Sequence, residues 1–343
     1  DVNQNDFKGA LNHLSRRGPD SEGVWSENKV FLGSRRLAIF DLNNRSNQPM
    51  QSLCSRYVII FNGSIYNYKT LRKYLIDNNI KLKTHSDTEV ILELFALEGS
   101  KMLPKLEGMF AFVIWDCKKK EGFAARDPFG IKPLYIGTNL DGIILSSQVK
   151  ALLSTKFISM DKDINSQFSF WNLGYVLEPR TWFKNIKALK SGSYIHIKGG
   201  KIISEIQWYD LNKNWIIADS KEQKITKSKF SKIIKDSIVA SVKKHLVADV
   251  PIGIFLSSGI DSTIIASIVS SNSKKKITAI TVSFESFDGS EYDETSKAKK
   301  IAQNFGMEHH IFRVTQKDFQ NDLPKILEAM DQPSIDGINV WYA

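Results

Sequence analysis

Apolar and polar positions change rhythm along the chain. Phe7, Ala10, Leu11 and Leu14 fall at i, i+3, i+4 and i+7, the spacing of one helix face. Arg17-Gly18-Pro19-Asp20 then breaks the pattern. Short apolar runs separated by turn residues predict strands over 29–32, 36–40, 56–61, 109–115, 122–125, 134–137 and 142–146. Asn62-Gly63 and Asn139-Leu140-Asp141-Gly142 carry tight-turn chemistry. Two helices interrupt the strands, near 68–78 and 87–98; the second has Val90, Ile91, Leu94 and Phe95 on one face. Ser86 is its expected N-cap, with Glu89 spaced for a capping box. Many strands with few helices predict a layered antiparallel α+β domain over 1–210.

The stretch 211–224 is mostly polar, interrupted by Trp215-Ile216-Ile217, and shows neither period, so it reads as a linker. Beyond it Phe230, Ile233, Ile234, Ser237, Ile238 and Ser241 run at helical spacing toward the stretch GIFLSSGIDSTIIASI, residues 253–268. A strand over 277–284, an acidic loop over 285–294, a helix over 295–305 and a strand over 310–314 follow. Strands alternating with helices predict a parallel sheet, hence an α/β domain over 225–343.

Composition narrows the classes. The 343 residues, 42% hydrophobic and 24% charged, suffice for two globular domains. No apolar run approaches the roughly 20 residues that span a bilayer, and no signal peptide opens the chain, so no membrane role is expected. Two cysteines, Cys54 and Cys117, are too few for a disulfide framework and predict a reducing cytoplasm. Both read as structural thiols. The adjacent His309 and His310 belong to no Cys/His spacing that reads as a zinc site. The net charge of +10 raises a nucleic-acid partner, but the lysines are scattered without aromatic interleaving, so none is expected. The chain opens without Met and stops without a closing turn, which reads as a fragment.

The chemistry concentrates at Leu256-Ser257-Ser258-Gly259-Ile260-Asp261-Ser262. A strand–turn–helix here aims free backbone N–H groups and a helix N-terminus at one point, a seat for an anion. The turn lacks both the GxxxxGKS/T and the GxGxxG fingerprints. Small residues at 257–259 admit a phosphate close to the backbone, Ser257 and Ser262 add hydroxyl donors, and Asp261 is a candidate Mg2+ ligand. Read alone, the same residues also make an ordinary capped helix start.

These residues resemble the SGGIDS-type pyrophosphate loop of the ATP-pyrophosphatases. Ala248-Asp249-Val250-Pro251-Ile252-Gly253 resembles the lead-in to that loop in glutamine-hydrolysing asparagine synthetases. Ser15-Arg16-Arg17-Gly18-Pro19-Asp20, Arg36-Leu37-Ala38-Ile39-Phe40-Asp41, Phe61-Asn62-Gly63-Ser64-Ile65-Tyr66-Asn67-Tyr68 and Ser86-Asp87-Thr88-Glu89 resemble the glutamine pocket of the class II amidotransferase domain in that family. Leu106–Phe112 and Ala125–Tyr135 are similar to its later signatures, and all stand in the family's order.

The resemblance implies a fold of two parts: an Ntn-hydrolase-like αββα domain, then a truncated, adenine-nucleotide-alpha-hydrolase-like parallel-sheet domain. It implies glutamine binding by Arg36, Leu37, Ala38, Ile39, Phe40, Asn62, Gly63, Ser64 and Asp87. Arg36 would hold the α-carboxylate and Asp87 the ammonium. The Asn62 amide and Gly63 N–H would form the oxyanion hole that the tetrahedral intermediate needs. It implies ATP binding by Leu256, Ser257, Ser258, Gly259, Ile260, Asp261, Ser262 and Val282, with Mg2+ at Asp261. The nucleophile, an N-terminal Cys, would lie upstream of Asp1. The implied reaction amidates aspartate through β-aspartyl-AMP, releasing AMP, pyrophosphate and glutamate, and a homodimer is left open. Two alternatives stand beside it: the same machinery acting on another carboxylate, such as a sugar acid or a β-lactam precursor, and a non-catalytic paralogue. Three residues depart from the pattern: Arg16 for His, Ser64 for Glu, and Ser258 for Gly, which fits the turn only with a negative φ at 258 or with tolerated strain.

Overall fold

The computed structural model describes residues 4–219, 226–273 and 276–342. The chain divides into two compact units, residues 1–222 with 331–333, and residues 223–330 with 334–343.

The strands of the first unit are β1 (Ser21–Glu27), β2 (Val30–Arg36), β3 (Met50–Gln51), β4 (Tyr57–Ile65), β5 (Gly108–Asp116), β6 (Glu121–Arg126), β7 (Tyr135–Asn139), β8 (Gly142–Ser146), β9 (Ile186–Ala188), β10 (Ser193–Lys198) and β11 (Lys201–Gln207). They form a six-stranded antiparallel sheet in the order β11-β10-β6-β5-β4-β3, a three-stranded sheet β8-β7-β9 and the hairpin β1-β2. Period-two burial explains the layering. Val58, Ala111, Val113, Ala124, Ile195 and Ile197 leave one face of the large sheet and meet Leu32, Leu134, Ile136 and Leu189 from the smaller ones. The opposite face carries Phe112 and Phe123, with ring centroids 6.1 Å apart.

Helices close both sides. The first four are α1 (Gln4–Asn12), α2 (Tyr68–Asp77), α3 (Asp87–Glu98) and α4 (Val149–Ser154). Phe95 of α3 lies over the large sheet, 5.5 Å from the Tyr57 ring and 4.8 Å from Phe123. On the far side, α1 sets Phe7 and Leu11 against Gly33 of β2 and packs on α4. The result is a helix–sheet–sheet–helix sandwich: the layered antiparallel α+β domain that the strand-rich pattern predicts, in the layer order that the resemblance implies. Its fifth helix, α5 (Ile164–Leu173), is capped by Asp163, whose side chain accepts from Asn165 N.

Four local expectations are corrected. Residues 37–40 are not a strand, because the Arg36 side chain bonds the Phe40 and Asp41 carbonyls at 2.8 and 2.7 Å and curls the chain. Asn62-Gly63 is no turn; it lies inside β4, which stays paired with β5 to Ile65. Ser86 does cap α3, accepting from Thr88 N, but Glu89 reaches past it to Lys83 N and Thr84 N, both at 2.7 Å. Finally α6 (Leu211–Asp219) forms where the sequence shows no period. Asp210 Oδ1 accepts from Asn212 N and Lys213 N at 3.0 and 3.2 Å, so the helix is started by its cap while its side chains stay exposed. The remainder of the expected linker, 220–224, lies outside the described residues.

The second unit contains α7 (Lys227–His245), β12 (Gly253–Phe255), α8 (Ile260–Asn272), β13 (Thr278–Phe284), α9 (Thr295–Asn304), β14 (Glu308–Val314), α10 (Gln316–Ala329) and α11 (Ile338–Tyr342). Its strands pair in parallel, in the order β12-β13-β14, as the strand–helix alternation predicts. Ala266 of α8, Ala298 and Ala302 of α9, and Ala279 of β13 meet Leu256 and Met307 in the core. Small side chains bring the helices close to the sheet, which fixes where α8 begins relative to β12 and β13.

Candidate functional site

In the first unit the sequence-predicted residues converge at the end of β4. Asn62 faces Ala111, Gly63 faces Phe110 and Ser64 faces Met109 on β5. Gly63 has φ +156°, and a Cβ there would lie 2.1 Å from Met109 O and 2.8 Å from Phe110 Cα. Backbone, not a movable side chain, bars any larger residue. Asp127 helps to set this approach from behind, since its Oδ2 accepts from Phe110 N at 3.2 Å. Asn62 is half-buried, and its amide makes no hydrogen bond among the described residues. The amide is therefore available to an oxyanion. Ser64 is buried.

Asp87 occupies the first turn of α3, 4% exposed. Its Oδ2 accepts from Ile65 N at 3.0 Å, tying the helix start to the end of β4. Burial pushes its carboxyl up to about 6, against the lowering effect of the Ile65 and Thr88 N–H groups. Arg36 is buried as well, which pulls its pKa down while the charges of Asp41, Asp87 and Asp20 oppose that shift. The structure thus brings Arg36 and Asp87, far apart in sequence, into one electrostatic neighbourhood.

The Arg36 guanidinium is already engaged. Besides Phe40 O and Asp41 O on Nη2, it donates from Nη1 to Asn43 O and Asn47 Oδ1 at 3.3 and 3.0 Å. Leu37 is 55% exposed, while Phe40 is buried with its ring 5.1 Å from Tyr68. Ala38 and Ile39 are half-buried between them. The Arg17–Asp20 turn braces this segment. A Cβ on Gly18 would lie 2.3 Å from the Arg35 carbonyl, Asp20 N donates to Arg36 O at 3.0 Å, and Ala38 N donates to Asp20 Oδ2 at 2.8 Å. Arg16, one of the departures, is exposed at the edge of the turn.

Two buried anchors escape sequence reasoning. Burial opposes the ionisation of Asp41, yet His85 N–H, Asn43, Arg45 and Ser46 hold its carboxyl well below the usual range. It thereby locks the loop that Arg36 grips. Arg126, 2% exposed, binds Glu178 through both terminal nitrogens and also the Lys132, Gly130 and Leu189 carbonyls, which makes the 126–132 signature a self-bonded turn. Both lie in motifs quoted above, but nothing in the neighbouring residues shows that an acid or arginine beside a turn is buried. Neither cysteine is bonded to another: Cys54 is exposed, and Cys117 is half-buried with its thiol pushed up by burial.

In the second unit the serine loop leaves the carboxyl end of β12. Leu256, 2% exposed, is fixed to β13 by its N–H on Ile280 O at 2.8 Å. Ser257 Oγ and Ser262 Oγ lie 2.9 Å apart, Ser257 N donates to Ser262 Oγ at 3.2 Å, and Gly259 N donates to Ser257 Oγ at 3.1 Å. The loop is folded on its own hydroxyls. Ser258 has a negative φ, so serine stands in the glycine position without left-handed strain. Gly259 precedes α8 with φ −72° and no side-chain cap, which leaves the first-turn N–H groups to a ligand or to solvent. Ile260 is 77% exposed, and the Asp261 carboxylate is exposed without hydrogen bond or ion pair among the described residues. Val282 is half-buried on β13, opposite Phe312.

A further residue reaches the loop. Glu294, at the start of α9, accepts from Ser258 Oγ at 2.9 Å. The sequence shows this stretch as an acidic loop, in which Asp293 caps Thr295 N at 3.0 Å. These donors and carboxylates suit a polyphosphate with a divalent cation, since hydroxyls and helix N–H groups meet the anion and Asp261 is a hard oxygen ligand. No described helix is long and apolar enough to cross a membrane.

Comparison with known proteins gives two family matches and three relatives. The family model described as a glutamine amidotransferase domain matches residues 1–209, and the one described as asparagine synthase matches residues 234–341. The chain is 36% identical over 324 residues to the glutamine-hydrolyzing asparagine synthetase 1 of Bacillus subtilis, covering 94% of this chain and 49% of that protein. It is 30% identical over 347 residues to asparagine synthetase 3 of the same organism, covering 96% and 55%. It is 27% identical over 325 residues to amidase chry2 of Gibberella zeae, covering 90% and 47%. The chain therefore spans about half the length of the curated relatives it matches.

Proposed function

The chain belongs to the asparagine synthase family that carries an amino-terminal glutamine amidotransferase domain, and we propose that in the whole protein the two units act as a glutamine-hydrolysing, ATP-dependent amide ligase. One observation carries the glutamine half: a buried carboxylate and a buried guanidinium share a field next to an unengaged Asn amide and an obligatory glycine. A zwitterionic amino acid with a reactive amide needs these groups. Asp87 receives the ammonium, Arg36 the α-carboxylate, and the Asn62 amide with Gly63 N–H the oxyanion. Leu37, Ala38, Ile39, Phe40 and Ser64 line the same segment. Both terminal nitrogens of Arg36 hold loop acceptors, so a bidentate grip on the carboxylate requires the 40–47 loop to release a pair of them.

In the second unit the nucleotide lies across Leu256 to Ser262 with its base toward Val282. Ser257, Ser262 and the first-turn N–H groups of α8 bind the phosphates, and Asp261 would hold Mg2+. The cation supplies charge neutralisation on the phosphates when bound. Aspartate is the proposed acceptor, activated as β-aspartyl-AMP and amidated by ammonia from the first unit, in a reducing cytoplasm. A second acceptor is kept in view because one relative is named an amidase rather than an asparagine synthetase. The test is pyrophosphate release by the full-length protein with MgATP and glutamine, carboxylate by carboxylate. Aspartate-dependent release is expected. Release only with another carboxylate selects the second acceptor, and release with none overturns the ligase reading.

Asp87 makes the glutamine half testable by pH. With its carboxyl at about 6 in the folded protein and an ordinary value of 3.8, it binds its proton more tightly folded than unfolded. Folding is therefore favoured below the ordinary value, and that advantage is lost as pH rises through about 6, amounting to about 3 kcal/mol. Ammonium capture has the opposite pH preference, since it needs the ionised form. Glutamine KM should rise as pH falls below 6, about tenfold per unit at the low end. Asp87→Asn keeps an acceptor for Ile65 N. It should flatten that profile, raise KM at pH 7 about tenfold or more and raise the unfolding temperature. A wild-type KM independent of pH between 5 and 7 would remove Asp87 from the pocket.

A further inference from the structure

The histidine pair 309–310 has no part in the chemistry described so far. His310 turns outward to Glu308 at 3.1 Å. His309 turns inward, with its Nε2 2.8 Å from the hydroxyl of Thr281, which is 3% exposed. The same hydroxyl lies 2.7 Å from Leu256 O.

Donor logic orders this chain of contacts. A carbonyl only accepts, so Thr281 Oγ–H donates to Leu256 O, and its lone pair must receive Nε2–H of His309. Register explains the line-up. Ala279 faces His309 across β13 and β14, and Thr281 is two residues further on, the diagonal neighbour on the face covered by α8 and α9. On the other side Phe255 pairs with Ile280, which brings Leu256 level with Thr281. Burial, helped by His310 and Lys299, lowers the pKa of His309, so at neutral pH the ring is uncharged and its Nε2–H tautomer is selected by Thr281.

Both polar groups of the Leu256 backbone are thus pinned: N–H to Ile280 O, and C=O to the relay. Leu256 is the last residue before the serine loop, and the next N–H, that of Ser257, already belongs to the loop's own network. We propose that His309 and Thr281 are positioning residues for the nucleotide loop: they orient the Leu256–Ser257 peptide from which the phosphate-binding donors hang. The proposal rests on the reading of that loop as an ATP site.

The test titrates MgATP into full-length protein. Thr281→Val keeps the shape and removes the hydroxyl, and is expected to raise the ATP dissociation constant about tenfold. Thr281→Ser keeps the hydroxyl and loses a methyl, and is expected to stay within about twofold of wild type despite its poorer packing. His309→Leu should match the valine variant, while His309→Gln, which retains an N–H, should recover most of the affinity. Nitrogen NMR should show the Nε2–H tautomer of His309 in the wild type and its loss in Thr281→Val. Wild-type affinity in Thr281→Val, or a serine variant as impaired as valine, overturns the relay. A wild-type protein that does not bind MgATP overturns the loop reading itself, and the relay with it.

Discussion

Asp261→Ala in the full-length protein is expected to abolish pyrophosphate release while leaving glutamine hydrolysis intact. The expectation follows from what Asp261 lacks. Its carboxylate is exposed in the first turn of α8 and makes no hydrogen bond or ion pair among the described residues. As a helix-start charge alone it contributes about 0.3–1 kcal/mol, and alanine would leave catalysis untouched. As the metal-holding group of a phosphate site its loss removes several kcal/mol of transition-state stabilisation, on the order of a thousandfold in rate. The two roles differ so widely that one assay separates them. Thermal unfolding should barely move, because no buried contact is lost. Pyrophosphate release that survives the substitution would reduce Asp261 to a helix-start charge and withdraw the loop from ATP.

Gly63→Ala should damage the glutamine half in both stability and rate. The added carbon would sit 2.1 Å from Met109 O, so β4 and β5 must part where Asp127 also fastens Phe110. Backbone overlap of this kind costs about 3 kcal/mol or more, which for a unit of this size lowers the unfolding temperature by about 10 °C. Displacing the Gly63 N–H should also lower the rate of glutamine hydrolysis by about a hundredfold or more. Asn62→Ala separates the two effects. Its amide holds nothing among the described residues, so stability should be retained while the rate falls by a similar factor. A Gly63→Ala protein with unchanged unfolding temperature and rate would show that neither the close approach nor the oxyanion donor is needed there.

Much of this protein is legible in its amino-acid sequence alone. The change from period-two runs to strand–helix alternation marks the two fold classes, because burial on one sheet face or between helices imposes those periods directly. The serine loop is legible for the same reason: a buried strand, small residues and a resumed helical stripe leave the backbone few other courses. Ser86 is readable as a cap, since capping is a local bond. The composition of 211–219 hides a helix, because a helix started by Asp210 and left exposed needs no apolar stripe.

Tertiary structure decided what depends on contacts between distant residues. Asn62-Gly63 reads locally as a turn and is held straight only because β5 pairs across it. The segment 36–40 reads as a strand and curls only because the Arg36 side chain, buried among acids, finds its acceptors in the next residues. Asp87 stands in the sequence only as an acid at a helix start, and burial pushes its carboxyl up to about 6. Glu294 reaches the serine loop, and His309 reaches Leu256 before it through Thr281, by helix placement and sheet register. Periodicity and local bonds are written in neighbouring residues and can be read from them. Desolvation and cross-strand approach arise only when the chain closes on itself, and those two effects fixed the chemistry of the sites.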